Sequence, residues 1–238
     1  MSAIRLLPAL AACALALSAC KRDDLTFDKQ VHDYIVSHPE VIQEAITKLQ
    51  EKEDAVVAAQ AKGLIEQYRQ AIEHDPRDVV ANPNGHVTVT EFYDYRCPHC
   101  INAAPAVLSI IHADPGVRFV FKEFPIFGAA SDRAAAGAIA VKKAGGDNVA
   151  LYRDLMAGHP LDDAKVDAIL RAHGVDPASL DQPPLKDEAA AQLQAVKELA
   201  TNIGVQGTPA FVVGDILIPG DDTDALRAAI AAASKKTG

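Results

Sequence analysis

Residues 25–75 read as helix almost throughout, interrupted only by Pro39 and Gly63 as breakers. Val31, Tyr34 and Ile35 share one face of a first helix, expected over Phe27 to Ser37. His38-Pro39 ends it, because the residue before a proline is driven out of the helical region while proline itself suits a first turn. A second helix is expected to run to about Ile72. Within it Ile42, Leu49, Val56 and Gly63 recur every seven residues, with Val57 and Leu64 beside that seam. Ala45, Lys52, Ala59 and Glu66 fill the intervening positions poorly. A lone helix of this length is marginal in water, so it needs a partner surface, either its own domain or another copy of the chain.

From Val79 the apolar period shortens to that of strands. Val79-Val80-Ala81, the turn Asn82-Pro83-Asn84-Gly85 and His86 to Tyr93 predict two strands joined by a tight turn. An amphipathic segment from Cys97 to Ile111, with Pro105 expected to kink it, leads to a strand over Val117 to Lys122. Ala-rich helical segments follow at roughly 130–144, 147–157, 163–173 and 185–203. Ala210 to Val213 and Ile216 to Ile218 flank Gly214-Asp215 as a hairpin, and a closing helix is expected from Asp222 to Ala233. The pattern is β-α-β, a helical block, then β-β-α, an α/β chain with no internal repeat.

The first residues stand apart. Arg5 is the one charge before Lys21, and Leu6 to Ala19 is apolar, too short for a membrane span and ending in small residues like a secretory signal. Leu17-Ser18-Ala19-Cys20 resembles the lipobox of bacterial lipoproteins, in which the cysteine becomes the acylated first residue. A plain signal peptide cut nearby is the competing reading. Both place the working chain on the periplasmic side, and the first anchors it to a membrane through Cys20.

Composition changes the picture mainly by exclusion. The 238 residues are 49% hydrophobic, 23% charged and 5% aromatic, which excludes a disordered or collagenous chain. The net charge is −9, and loss of 1–19 removes Arg5 and no acid, leaving −10. With no Lys/Arg run longer than a pair, nucleic acid is not an expected partner.

Export also changes what the cysteines mean. Cys13 leaves with the signal and Cys20 carries the lipid, so only Cys97 and Cys100 remain as thiols. Their loop is too small to staple a domain, and two thiols without a following His pair do not make a structural zinc site. A pair with neither role is read as redox-active. Cys97 lies where a strand meets a helix, and the helix N-terminus favours its thiolate. Protonated His99 adds a second stabiliser. Cys100, a turn further in, is the shielded resolving thiol.

Three segments carry a family resemblance. Glu91 to Cys100, with Cys97-Pro98-His99-Cys100 at its end, Phe121-Lys122-Glu123-Phe124-Pro125, and Gly207-Thr208-Pro209-Ala210-Phe211 resemble the DsbA family of thiol-disulfide oxidoreductases. The resemblance implies a thioredoxin fold over 76–238 with an inserted helical subdomain at about 129–183, preceded by a helical arm over 20–75. Within that arm, Val31-His32-Asp33-Tyr34-Ile35 and His38-Pro39-Glu40-Val41-Ile42 resemble the N-terminal region of ScsC-type proteins.

The same resemblance implies that Pro209 follows a cis bond, and that Thr208 and Pro209 lie against the cysteines and offer backbone groups to a substrate. It also places an acidic residue, here Glu91, beneath the cysteines, with Lys122 on the neighbouring strand as its expected partner and both tuning Cys100. The alternative leaves both charges facing water. Phe92 and Phe124-Pro125-Ile126-Phe127 are expected to pack in the core, with a peptide groove as the second reading. The implied activity is disulfide exchange with exported cysteine-containing proteins, using no dissociable cofactor and no metal. A membrane redox partner of unknown identity recycles the pair, and the arm assembles copies of the chain. Cu(I) held by Cys97, Cys100 and His99 is the alternative from another class.

Overall fold

The computed structural model describes residues 20–237, without the side chains of 20–25, 50, 51, 53–55, 57, 58, 236 and 237. The expected signal at 1–19 and the Cys20 side chain lie outside the described residues. The chain divides into two compact units, the first ending at Val56 and the second beginning at Val57.

The first unit contains α1 (Cys20–Ser37) and the opening of α2 (Glu40–Glu73). The break falls at His38-Pro39 as the sequence predicts. There the Ser37 hydroxyl donates to the Asp33 carbonyl at 2.6 Å, and the Tyr34 and His38 rings stack at 4.5 Å between centroids. Val31, Tyr34, Ile42, Ile46, Leu49 and Val56 are exposed.

The remainder of α2 belongs to the second unit. Ile65 and Ile72 are fully buried, with Leu64, Tyr68 and Ala71 packed beside them, the i, i+3, i+7 stripe of a helix lying on a core. Arg69 pairs with Glu73 at 2.8 Å and with Asp215. Of the arm expected over 20–75, residues 57–75 therefore fall in the second unit, where Ile65 and Ile72 join its core.

The sheet contains β1 (Val79–Ala81), β2 (Val87–Tyr93), β3 (Val117–Glu123), β4 (Ala210–Val213) and β5 (Ile216–Pro219) in the order β1-β3-β2-β4-β5. β2 and β3 run parallel, joined by α3 (Pro98–Ala113), and the other pairings are antiparallel. Between β3 and β4 come α4 (Ala129–Lys143), α5 (Asn148–Ala157), α6 (Asp163–Ala172), a 3-10 turn at Pro177–Asp181 and α7 (Leu185–Asn202). The last helix, α8 (Thr223–Thr237), follows β5. This is a thioredoxin-like fold with a helical insertion. Among the described residues no helix is long and apolar enough to cross a membrane.

β2 is central, and both its faces are covered. Val89 and Tyr93 join Phe119, Phe121, Phe211 and Val213 under α3, α8 and the insertion. Phe92 joins Val212 and the buried sides of α2 and α7 on the opposite face. Strand alternation alone sorts these residues between the two cores.

The expected β1–β2 hairpin does not form, because β3 lies between the two strands. The turn itself does form, the Gly85 N–H donating to the Asn82 carbonyl at 2.9 Å. Its remaining groups bind the end of α3 and the residue before β3 instead: Asn82 Nδ2 donates to the Ile111 carbonyl at 2.8 Å, and the His86 N–H to that of Gly116 at 2.8 Å. Two short apolar runs around a turn look alike whether they pair with each other or with a third strand. Gly85 marks the crossing, since a Cβ there would stand 2.4 Å from the backbone nitrogen of Arg118. Gly85→Ala is expected to destabilise the fold by about 1–3 kcal/mol through overpacking, measured by urea unfolding.

Candidate active site

β2 ends at Tyr93, and the loop Asp94-Tyr95-Arg96 turns the chain into α3. Asp94 is buried and accepts four hydrogen bonds. Its Oδ1 takes Arg96 N–H at 2.7 Å and the Ser131 hydroxyl at 2.8 Å, while its Oδ2 takes the Ile126 and Phe127 N–H groups at 2.6 and 2.9 Å. Arg96 returns a bond from Nη1 to the Phe127 carbonyl at 2.7 Å. One carboxylate thus joins the strand end, the helix start and the 125–127 segment.

Cys97 is the N-cap of α3, in extended conformation, and Pro98 occupies the first helical position. A proline there sacrifices only an N–H that the helix could not use, and it leaves those of His99 and Cys100 directed at the Cys97 sulfur. The Cys97 thiol is lowered to about 5. The hydrogen bond from the Cys100 thiol is the largest cause, burial opposes it, and contacts with Thr208 and the two backbone N–H groups assist. Cys100 is fully buried, and its thiol is raised far above the ordinary value by burial first, then by Cys97 and the charge of Glu91. Both cysteines are free thiols in this structure.

The Thr208-Pro209 bond is cis, and the Thr208 carbonyl lies 3.0 Å from Cys97 Sγ, accepting its S–H in the protonated form. The Thr208 hydroxyl is buried and is the Thr208 group that helps to lower the Cys97 thiol. The Gly220 N–H holds the Pro209 carbonyl at 2.8 Å. The next residue, Asp221, reaches the exposed His99 ring, with 3.1 Å between Oδ1 and Nδ1, and accepts from Asn102 at 3.4 Å. His99 therefore brings its backbone N–H to Cys97 and its ring to Asp221.

The expected pair between Glu91 and Lys122 does not form. In the parallel register Glu91 stands opposite Phe121, so Lys122, one residue on, points to the other face. Neither residue faces water, with Glu91 0% and Lys122 1% exposed. Lys122 pairs with buried Asp78 and donates to the Ala71 carbonyl of α2 at 2.5 Å, which makes it a tie between sheet and helix. Glu91 instead receives the Tyr152 hydroxyl at 3.3 Å on each oxygen, and burial pushes its carboxyl up to about 8. Glu123, Tyr93, Tyr95 and Tyr152 complete a buried group beneath the dithiol that sequence reasoning missed, although alternation along β2 and β3 places Glu91, Tyr93 and Glu123 on one face.

The aromatic candidates separate. Phe92 and Phe124 pack edge to face in the core at 6.5 Å between centroids, whereas Ile126 and Phe127 are exposed beside the Arg96 loop. Among the described residues no group of three or more His, Cys, Asp or Glu side chains is arranged to hold a metal ion.

A family model described as a DSBA-like thioredoxin domain matches residues 88–231, and one described as the copper resistance protein ScsC N-terminal domain matches 26–55. Among solved structures, BcfH of Salmonella enterica Typhimurium is 30% identical with a TM-score of 0.70, covering 93% of this chain and 99% of its own. ScsC of Proteus mirabilis, in a transitional conformation, is 28% identical with a TM-score of 0.66, covering 92% and 99%. A thioredoxin-like oxidoreductase of Silicibacter pomeroyi is 37% identical with a TM-score of 0.64, covering 70% and 98%. A curated relative, the Na(+)/H(+) antiporter NhaA 1 of Salinispora arenicola, is 30% identical over 170 residues, 67% of this chain. The chain spans a quarter of that antiporter's length, the match covering 25% of it.

The two thiols differ enough to titrate separately. Alkylation of the reduced chain is expected to label Cys97 with a half-maximal rate near pH 5, reaching a plateau above it because the thiolate reacts, as peptide mapping of labelled chain would read. Cys100, raised and buried, stays unlabelled across the same range. Faster labelling of Cys100 than of Cys97 at acidic pH would reverse the assignment.

Proposed function

Because the chain belongs to the DSBA-like thioredoxin-domain family of thiol-disulfide oxidoreductases, we propose that its Cys97–Cys100 pair exchanges disulfides with exported cysteine-containing proteins. The inequality of the two thiols carries this reading. In the oxidised chain, a substrate thiolate attacks Cys97 Sγ, the bond to Cys100 breaks, and its electron pair leaves on Cys100. A second substrate thiolate then attacks the substrate sulfur of the mixed disulfide. Cys97 departs as the thiolate that its lowered value favours. The substrate is oxidised by two electrons and the chain is reduced by two, with no dissociable cofactor. A membrane redox partner restores the disulfide.

Pro98, His99 and the α3 N-terminus stabilise the departing Cys97. Thr208 and Pro209, with the Thr208 carbonyl 3.0 Å from Cys97 Sγ, form the contact loop for the incoming peptide. The apolar leader at 1–19 and the lipobox-like Leu17 to Cys20 support a periplasmic chain anchored through acylated Cys20. The ScsC-type match over 26–55 and the exposed apolar side chains of α1 and early α2 support assembly of copies through the arm. Several dithiols in one assembly can hold a misfolded substrate at more than one point, which suits isomerisation.

Cys100→Ala is expected to accumulate mixed disulfides with substrate on non-reducing gels, and Cys97→Ala to accumulate none. Equal trapping by both variants would overturn the division of labour. Light scattering on chains 20–238 and 57–238 tests the arm: a multiple of the chain mass for the first and a monomer for the second is expected. Monomers for both would remove assembly from the account. Truncation at 76 would strip Ile65 and Ile72 from the core and is not the right comparison.

A further inference from the structure

Two aspartates follow β5, and their carboxylates do different things. Asp222 accepts the Ala225 N–H at 2.9 Å and so caps the start of α8. Asp221 serves α3 instead. Its Oδ1 lies 3.1 Å from His99 Nδ1, and its Oδ2 accepts from Asn102 Nδ2 at 3.4 Å. His99 and Asn102 stand three residues apart in α3, on one face of its first turns, so a single carboxylate grips both. The backbone fixes its place: the Asp221 carbonyl accepts the Thr223 N–H at 2.9 Å, and Gly220 before it is bonded to Pro209.

This grip limits what His99 does for Cys97. The sequence alone leads one to expect a protonated ring stabilising the Cys97 thiolate. In the structure His99 supports that thiolate through its backbone N–H, while its ring is engaged by a carboxylate. An imidazolium paired with a carboxylate presents little net charge to a third group, and the carboxylate itself opposes a neighbouring thiolate. The hydrogen bond from His99, the largest cause, and that from Asn102 hold Asp221 below the usual carboxylate range, so it is ionised wherever Cys97 titrates.

The other charged groups around the site have separate engagements. Asp94 is held by its four donors, and Arg96 sends Nη1 to the Phe127 carbonyl. Glu91 acts on Cys100 from the sheet. Asp224 and Arg227 lie further along α8.

We propose that Asp221 is a positioning residue for disulfide exchange: it holds the His99 ring at the loop after β5 and offsets its charge, which makes the dithiol a weaker oxidant than Cys97-Pro98-His99-Cys100 alone would be. This rests on the exchange reading above and refines its direction. When the oxidised chain meets two molecules of reduced glutathione, the chain gains two electrons and the two glutathione sulfurs join. Of the two thiol protons, one ends on Cys100 and the other in solvent, because Cys97 remains a thiolate. Whatever disfavours that thiolate draws the equilibrium back toward the oxidised chain. A dithiol poised in this way both gives a disulfide and takes one back, which suits reshuffling better than one-way oxidation.

Asp221→Asn keeps the shape of the side chain and removes its charge. Ultraviolet absorbance of the thiolate in the reduced full chain reads the Cys97 midpoint, and equilibration with glutathione at neutral pH reads the exchange constant. In Asp221→Asn the midpoint is expected to fall by roughly half a pH unit, and the constant for passing the disulfide to glutathione to rise about threefold. The Asp221 and His99 side chains are 32% and 65% exposed, so both shifts should shrink at high salt. Asp221→Glu, which retains the charge, should lie nearer the unaltered chain. In a His99→Gln background, Asp221→Asn is expected to move the midpoint by about half as much or less, since the ring is the group through which the carboxylate acts. A midpoint that stays or rises in Asp221→Asn overturns the proposal. A shift of full size in the His99→Gln background overturns it too, because Asp221 would then act on the sulfur directly. Failure of the unaltered chain to exchange with glutathione would instead overturn the exchange reading, on which the thiolate titration does not depend.

Discussion

The Asp94 carboxylate is the contact on which the site hangs. A strand, a helix and an extended segment meet at the end of the sheet, each with backbone N–H groups that need acceptors. One buried side chain takes Arg96, Ile126, Phe127 and Ser131 together. Its backbone carbonyl also accepts the Cys97 N–H at 3.1 Å. The position of Cys97 at the head of α3 is thus fixed by a charge whose desolvation is offset by four donors. The electrostatics of both thiols presuppose that anchoring, because helix N–H groups act on sulfur only over a short range.

The central sheet keeps two polar systems apart. On the α3 face, carboxyls and phenols lie under the dithiol with their charge restrained by burial. On the α2 face, Lys122 and Asp78 satisfy one another and the end of α2. Adjacent residues of β3, Lys122 and Glu123, therefore serve unrelated purposes, one tying a helix to the sheet and the other standing below the active site. Strand geometry alone makes that division possible.

Much of this was legible in the residues. Cys97-Pro98-His99-Cys100 at a strand-to-helix junction is a local pattern, and so is the order of helices and strands, since each rests on nearby periodicity. The errors came where position depends on register or on distant partners. Val79 to Ala81 looked like half of a hairpin because sequence does not say which strand lies next to it. Glu91 and Lys122 looked like a pair because both are charges in neighbouring strands, and only the register separates their faces. In α2 the seven-residue recurrence of Ile42, Leu49 and Val56 obscured the different stripe formed by Ile65, Tyr68 and Ile72. Asp221 carried no signal, being brought to His99 only by the fold.

The loop after β5 grips both walls of the site through consecutive residues. Gly220 holds the carbonyl of Pro209, and Asp221 holds the ring of His99. Walls pinned by one short loop do not spread independently, so the clearance over Cys97 is set in advance. The shape change needed to bring a cysteine within reach then falls on the guest: an extended, pliable stretch of polypeptide enters at little cost, while a cysteine locked in a finished fold must first be loosened. On the disulfide-exchange reading proposed for this site, selectivity of this kind reads the foldedness of a client rather than its sequence.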